Sequence, residues 1–228
     1  MSPDLISLTQ KLNLVSEQCQ NNCLDIENIQ AADCKYYEIS DFNKLISDKG
    51  PFSFSSFHLN IASLALHFDV LTTLLSQCNL LFDIIAITET RFVKGVKPSF
   101  DFNLNGYHEP VYTPTEASVG GALLYISHNV PFETRHDFNS MLYSPSLLES
   151  VFVEISVSNS PNIIAGFIYK HPSLSSEEFN SNFLEPFLIK ASKENKQILL
   201  LADDLILNLT ENLQKVTNHS SFFVDSFN

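Results

Sequence analysis

The nine residues Phe82–Thr90, FDIIAITET, constrain the fold of this chain more than any other stretch. They are apolar without alternation from Ile84 to Ile87 and turn polar only at the end. A strand with one wet face alternates apolar and polar residues, whereas a continuous apolar run of this length is the pattern of a strand buried on both faces. Such a strand must be covered on each side. A chain of 228 residues that is 44% hydrophobic is long enough to supply the covering layers.

The remaining pattern says what those layers are. Further strands are predicted at 52–61, 106–113, 121–129, 148–157, 162–170 and 197–207, several of them at hairpin-like spacing. Gly120-Gly121 marks a turn or a close backbone approach before one of them. A helix is predicted over 62–78, where Leu64, Phe68, Leu71 and Leu75 share a face. A second is predicted over 175–195: Ser175 and Glu178 form a capping box at its start, and Pro186 forces a kink or a division into shorter segments. Two sheets packed together and covered by helices satisfy this order better than one doubly wound parallel sheet.

Residues 1–50 read differently. A weak helical period in Leu5, Leu8, Leu12 and Val15 gives way to Asn, Gln, Asp and Cys, up to SDKGP at 48–51. The expected organisation is therefore an N-terminal extension over 1–50, with a short helix and a linker, and one domain over 51–228. Of the four cysteines, Cys19 and Cys23 stand four apart, but no second pair at zinc-finger spacing follows with Cys34 or Cys78. Reduced thiols in an intracellular protein, nuclear or cytoplasmic, are expected. The N-terminus has no apolar signal core, no stretch reaches the length of a membrane span, and the sequons at Asn208 and Asn218 are read as chance. The formal charge of -13 argues against tight binding of nucleic acid through phosphate neutralisation.

The polar residues that close the strands carry the chemistry. Asn60 closes the first strand, Glu89 the second, Tyr169 and His171 the GFIYKHP strand, and Asp203 with Asp204 the ILLLADD strand. Ligands of α/β sheets bind at such strand ends, and a hard cation such as Mg2+ takes carboxylate and amide oxygens with water completing its octahedron. Taken singly each residue has an ordinary explanation: a turn Asn, an acid at a helix start, a core Tyr.

Taken in order, HLNIASL, FDIIAITETRF, GGALLYISHNV, ESVFVEI, IIAGFIYKHPS and ILLLADD resemble the endonuclease/exonuclease/phosphatase superfamily. More narrowly, they resemble the apurinic-type endonuclease domain of LINE-type (non-LTR) retrotransposons. The resemblance runs from about Ser53 to about Leu209, and CKYYEISDFNKL at 34–45 looks like the leader of such domains. It implies a four-layer α/β sandwich of two β-sheets flanked by helices, and Mg2+-dependent hydrolysis of a DNA phosphodiester. Carried over by position, Asn60 and Glu89 would hold the cation, and Tyr169 would sit by the scissile phosphate. Asp203 would orient or deprotonate the attacking water, and Lys170 and His171 would stand where the family binds phosphate.

The chain departs from the family pattern at two places. The family's Gly-Asp-Phe-Asn is replaced by Ala202-Asp203-Asp204-Leu205, which removes the Asn that hydrogen-bonds the phosphate, and Asn208 falls too late to substitute. The closing Ser-Asp-His-like motif is missing: His219 is too early, and Asp225 has no following His. The resemblance with these departures implies a C-terminally truncated domain lacking its final strands, with impaired catalysis, weak Mg2+ and DNA binding, and retrotransposon origin. The alternative is a domesticated, non-catalytic binding or scaffold module.

Overall fold

The computed structural model describes residues 37–49, 54–116, 119–203 and 222–227. Two sheets lie face to face. The first contains β1 (Ser56–Asn60), β2 (Ile84–Thr88), β3 (Val111–Thr113) and β4 (Ala122–Ile126) in the order β1-β2-β4-β3. The second contains β5 (Phe132–Thr134), β6 (Leu148–Ile155), β7 (Ile163–Lys170), β8 (Gln197–Asp203) and β9 (Phe222–Phe227) in the order β5-β6-β7-β8-β9. Helices α1 (Ile39–Lys49) and α2 (Leu64–Gln77) cover the first sheet. Helices α3 (His136–Met141), α4 (Ser176–Phe179) and α5 (Glu185–Ala191) cover the second. This is the expected four-layer α/β sandwich.

Three apolar cores separate the four layers, and the alternation of strand side chains explains how. In β2, Ile84 and Ala86 face the gap between the sheets while Ile85 and Ile87 face the helices. Both faces are therefore dry, which is why FDIIAITET shows no alternation. In β7, Ala165 and Phe167 point into the gap and Ile164 and Ile168 toward α4 and α5. Between them, Gly166 lies under the Phe152 ring, where a Cβ would stand 1.9 Å from the nearest ring atom.

Each sheet carries a parallel pair joined through described helices. β1 and β2 are parallel and joined through α2; β7 and β8 are parallel and joined through α4 and α5. The second helical segment divides as Pro186 demands. Ser175 caps α4 by accepting the Glu178 N–H at 3.1 Å, a π-helical turn occupies Asn180–Leu184, and Pro186 stands in the first turn of α5. Proline lacks the N–H that would bond the preceding turn, so the backbone widens just before it.

The structure differs from the sequence reading at four places. Helix α1 lies within the stretch assigned to an N-terminal extension, yet Phe42 is fully buried and stacks on Phe82 at 6.2 Å between ring centroids. Asn43 also ties the end of α2, donating to Gln77 O and accepting from Asn79 N–H, each at 2.8 Å. The strand expected over 106–113 pairs regularly only at 111–113, because Pro110 has no N–H for the ladder. β5 and α3 occupy an interval for which the sequence pattern predicts no element. β9 pairs in parallel with β8. Among the described residues no helix is long and apolar enough to cross a membrane. The first three cysteines, both sequons, Asp204 and Leu205 lie outside the described residues.

Candidate active site at the ends of the parallel strands

β1 and β2 run in register, with Asn60 opposite Thr88. The chain then turns sharply at both strand ends. Ala62, Glu89 and Arg91 have φ of 55°, 51° and 57°, a left-handed region that costs a residue with a Cβ on the order of 1 kcal/mol. Backbone bonds hold these turns together: Ile61 N–H to Thr88 O at 3.1 Å and Leu64 N–H to Thr90 O at 3.1 Å. The result brings the two side chains into contact. Asn60 Nδ2 donates to Glu89 Oε1 at 3.2 Å, and Asn60 Oδ1 accepts the Ala62 N–H at 3.1 Å. Arg91 stands 3.8 Å from Glu89 Oε2, with both side chains partly exposed.

Gly120 and Gly121 support this corner from the neighbouring strand. Gly120 O accepts the Arg91 N–H at 2.9 Å and Gly121 O the Thr90 N–H at 3.4 Å. Both glycines have positive φ, and a Cβ on Gly121 would lie 2.3 Å from Thr90 Oγ1. The close approach expected from the Gly-Gly dipeptide is therefore real, and residues 90–91 are what approaches.

The second sheet ends beside this corner. His58 of β1 packs on Phe167 of β7 with ring centroids 5.0 Å apart, and its Nε2 lies 3.4 Å from Thr88 Oγ1. Burial pushes its pKa down to about 4, so the ring is neutral. Asn60 and Tyr169 each follow that contact by two residues, so both occupy the inward-facing register at the same end of the sandwich. Tyr169 is buried, with Asp203 of β8 opposite it on one side and Glu149 of β6 on the other.

Lys170 is not brought to this group. Strand alternation turns it to the helix-covered face, where it is buried and its Nζ donates to Leu174 O at 2.8 Å. His171 begins the loop that Lys170 holds. Its Nδ1 accepts the Ser173 N–H at 3.2 Å and lies 2.7 Å from Ser173 Oγ. An Nδ1 that accepts a backbone N–H places the proton of the neutral ring on Nε2, which becomes the donor.

Glu89 and Asn60 supply hard oxygens of the kind that hold Mg2+, which is commonly bound through one or two carboxylates with waters completing the shell. Among the described residues no group of three or more His, Cys, Asp or Glu converges as a metal cluster. Glu149 was not singled out in the sequence, although it is only 2% exposed at the start of β6. The available signal was an acid at one end of a strand whose next four residues, Ser150–Val153, are all buried.

No protein-family model matches the chain, and no curated protein sequence matches it. Similar solved structures include a 3′-5′ exonuclease from Neisseria meningitidis, 17% identical over 65% of this chain and 56% of that one, TM-score 0.41. Others are the human Nocturnin catalytic domain (15%, covering 61% and 59%, TM-score 0.40) and an AP endonuclease from Leishmania major (12%, covering 67% and 53%, TM-score 0.44). The chain spans somewhat over half the length of each. Similarities of this size carry no information about chemistry.

Proposed function

We propose that the chain is an endonuclease/exonuclease/phosphatase-type domain of LINE-type retrotransposon origin, built to hydrolyse DNA phosphodiesters with Mg2+ and catalytically impaired in this copy. The contact between Asn60 and Glu89 at the ends of adjacent parallel strands carries this reading. The order of the strand-end motifs, from HLNIASL to ILLLADD, supports the kind of domain and its origin.

In this reading Glu89 and Asn60 hold the cation, which when bound would neutralise phosphate charge and lower the pKa of a water. Asp203 accepts the proton of the attacking water, and the Tyr169 hydroxyl donates to the phosphate. His171 offers its Nε2–H to a phosphate oxygen. Lys170 acts one step removed, because its ammonium secures Leu174 O and with it the loop that carries His171. Leu205 stands where the family offers an Asn. Loss of one transition-state donor lowers the rate about 10²–10³-fold, which supports impairment. The charge of -13 supports weak DNA affinity.

Plasmid nicking and Mn2+ binding test the proposal together. We expect Mn2+ to bind the wild-type chain and not Glu89→Ala, with supercoiled DNA left intact by both in Mg2+. Equal Mn2+ binding by the two proteins would overturn the metal site. Vigorous nicking by the wild type that Glu89→Ala abolishes would overturn impairment.

A further inference from the structure

One acid closes the gap between the sheets at the site end. Glu149 shares the inward face of β6 with Val151 and Val153, is almost fully buried, and is hydrogen-bonded by the Gly121 N–H and the Thr115 side chain. Its fit against the glycine pair is tight: a Cβ on Gly120 would lie 2.9 Å from Glu149 Oε2 and 3.2 Å from Oε1. On the far side, a Cβ on Gly121 would strike Thr90 Oγ1. The pair is thus held between Glu149 of the second sheet and Thr90 in the turn that follows β2.

The same two glycines carry the carbonyls that hold Thr90 and Arg91. Those residues directly follow Glu89, whose left-handed backbone lies outside the regular elements. A chain of direct contacts therefore runs from the Glu149 carboxyl through Gly120-Gly121 to the backbone that aims Glu89 at Asn60. An apolar side chain would fill this dry space without the desolvation cost of an acid, which burial already holds above its ordinary pKa. What the acid adds is direction: it accepts one backbone N–H and meets one hydroxyl at fixed angles.

We propose that Glu149 is a positioning residue, which fixes the Gly120-Gly121 turn and through it the conformation of residues 89–91. Its importance for metal binding rests on the reading of Glu89 as a cation ligand; its effect on the backbone does not.

The test compares the full-length wild type with Glu149→Gln and Glu149→Leu. It follows amide hydrogen exchange at Thr90 and Arg91, with Val153 and Ala165 as internal references, and it follows Mn2+ binding. Glu149→Leu is expected to speed exchange at Thr90 and Arg91 about tenfold, leave the references unchanged and weaken Mn2+ binding. Glu149→Gln keeps an acceptor and a donor, so it is expected to restore both properties to within about threefold. Should the Leu variant fail to fold, Thr115→Val, which removes one partner of the acid together with the Thr115 donation to Val119 O at 2.8 Å, is compared with Thr115→Ser, which keeps the hydroxyl; only the Val variant is expected to speed exchange at the same two amides. Unchanged exchange there in a folded variant, or an equal loss across both sheets, overturns the proposal. Faster exchange at the two amides in a protein that never binds Mn2+ upholds it and removes the metal reading alone.

Discussion

Charge gathers in two places in this molecule, and the two are built on opposite principles. Beside the second sheet, Arg135 meets Asp137, Glu154 and Glu194, while Lys190 and Lys196 pair with the same carboxylates. Three cations meet three acids, and the Arg135 guanidinium also lies 4.1 Å above the Phe138 ring. Every charge is answered, and the network fastens α3, β6 and the end of α5 to one another. At the strand-end corner, Glu89 has one amide and a guanidinium 3.8 Å away. Its backbone is strained and its carboxylate is left with capacity to accept more. The first cluster spends its charge on stability; in the proposed reading the second keeps it available for a cation.

The sharpest way to break this contrast is Gly121→Ala. The added Cβ would meet Thr90 at a positive φ, so a loss of about 3 kcal/mol is expected in urea unfolding. A loss below about 0.5 kcal/mol would mean that the corner is no more tightly built than ordinary surface.

Arg135→Ala addresses the other cluster. Three carboxylates would be left facing one another with only the two lysines between them, and a loss of about 2 kcal/mol is expected by the same measurement. If the cost is negligible, the network is decoration and the contrast disappears.

Acid separates the two regions by pH. Folded His58 has a pKa near 4 against an ordinary 6.5, so the unfolded chain binds its proton first and stability is lost as pH falls from 6.5 toward 4. Asp137 and Glu194 are held below their ordinary 3.8 and 4.5 chiefly by hydrogen bonds from Arg135. Their contribution is present above those values and is lost as pH falls below them. Glu149, raised by burial, acts with the opposite sign, so the comparison should be made against His58→Phe. Because the ring is partly exposed, that variant should remove about 1 kcal/mol of the loss between pH 6.5 and 4.5. Identical pH profiles for the two proteins would show that His58 does not report on the corner.

The smallest effect on stability is expected for Glu89→Gln. The amide keeps the contact with Asn60, so stability should stay within about 0.5 kcal/mol of wild type while Mn2+ binding is lost. A stability cost like that of Arg135→Ala would place Glu89 among the structural charges.

The layers were legible because burial on two faces leaves a mark in sequence. β2, β7 and β8 are continuous apolar runs, and α2 carries its four-residue spacing openly. Helix α1 was not legible as part of the fold, since Phe42 is its single fully buried side chain among those described. One contact leaves no period. Asn60 and Glu89 were legible as strand-ending residues, and the structure brings them together. Tyr169 and Lys170 are adjacent in the sequence, the resemblance giving the first a catalytic place and the second, with His171, a phosphate-binding one; period-two alternation turns their side chains to opposite faces. Glu149 was invisible for a different reason: an acid in a strand normally signals water, and here it faces the dry gap between two sheets.

The Phe152 ring resting on Gly166 makes those two positions dependent in time as well as in space. No side chain can enter at 166 while the ring remains, because its first carbon would overlap the ring. Substitution therefore has an order, in which position 152 must shrink first and leave a void until position 166 fills it. A lineage that crosses in that order passes through an ancestor weakened by a void, and one that attempts the reverse passes through an overpacked one. Two residues that look independently replaceable form a one-way door.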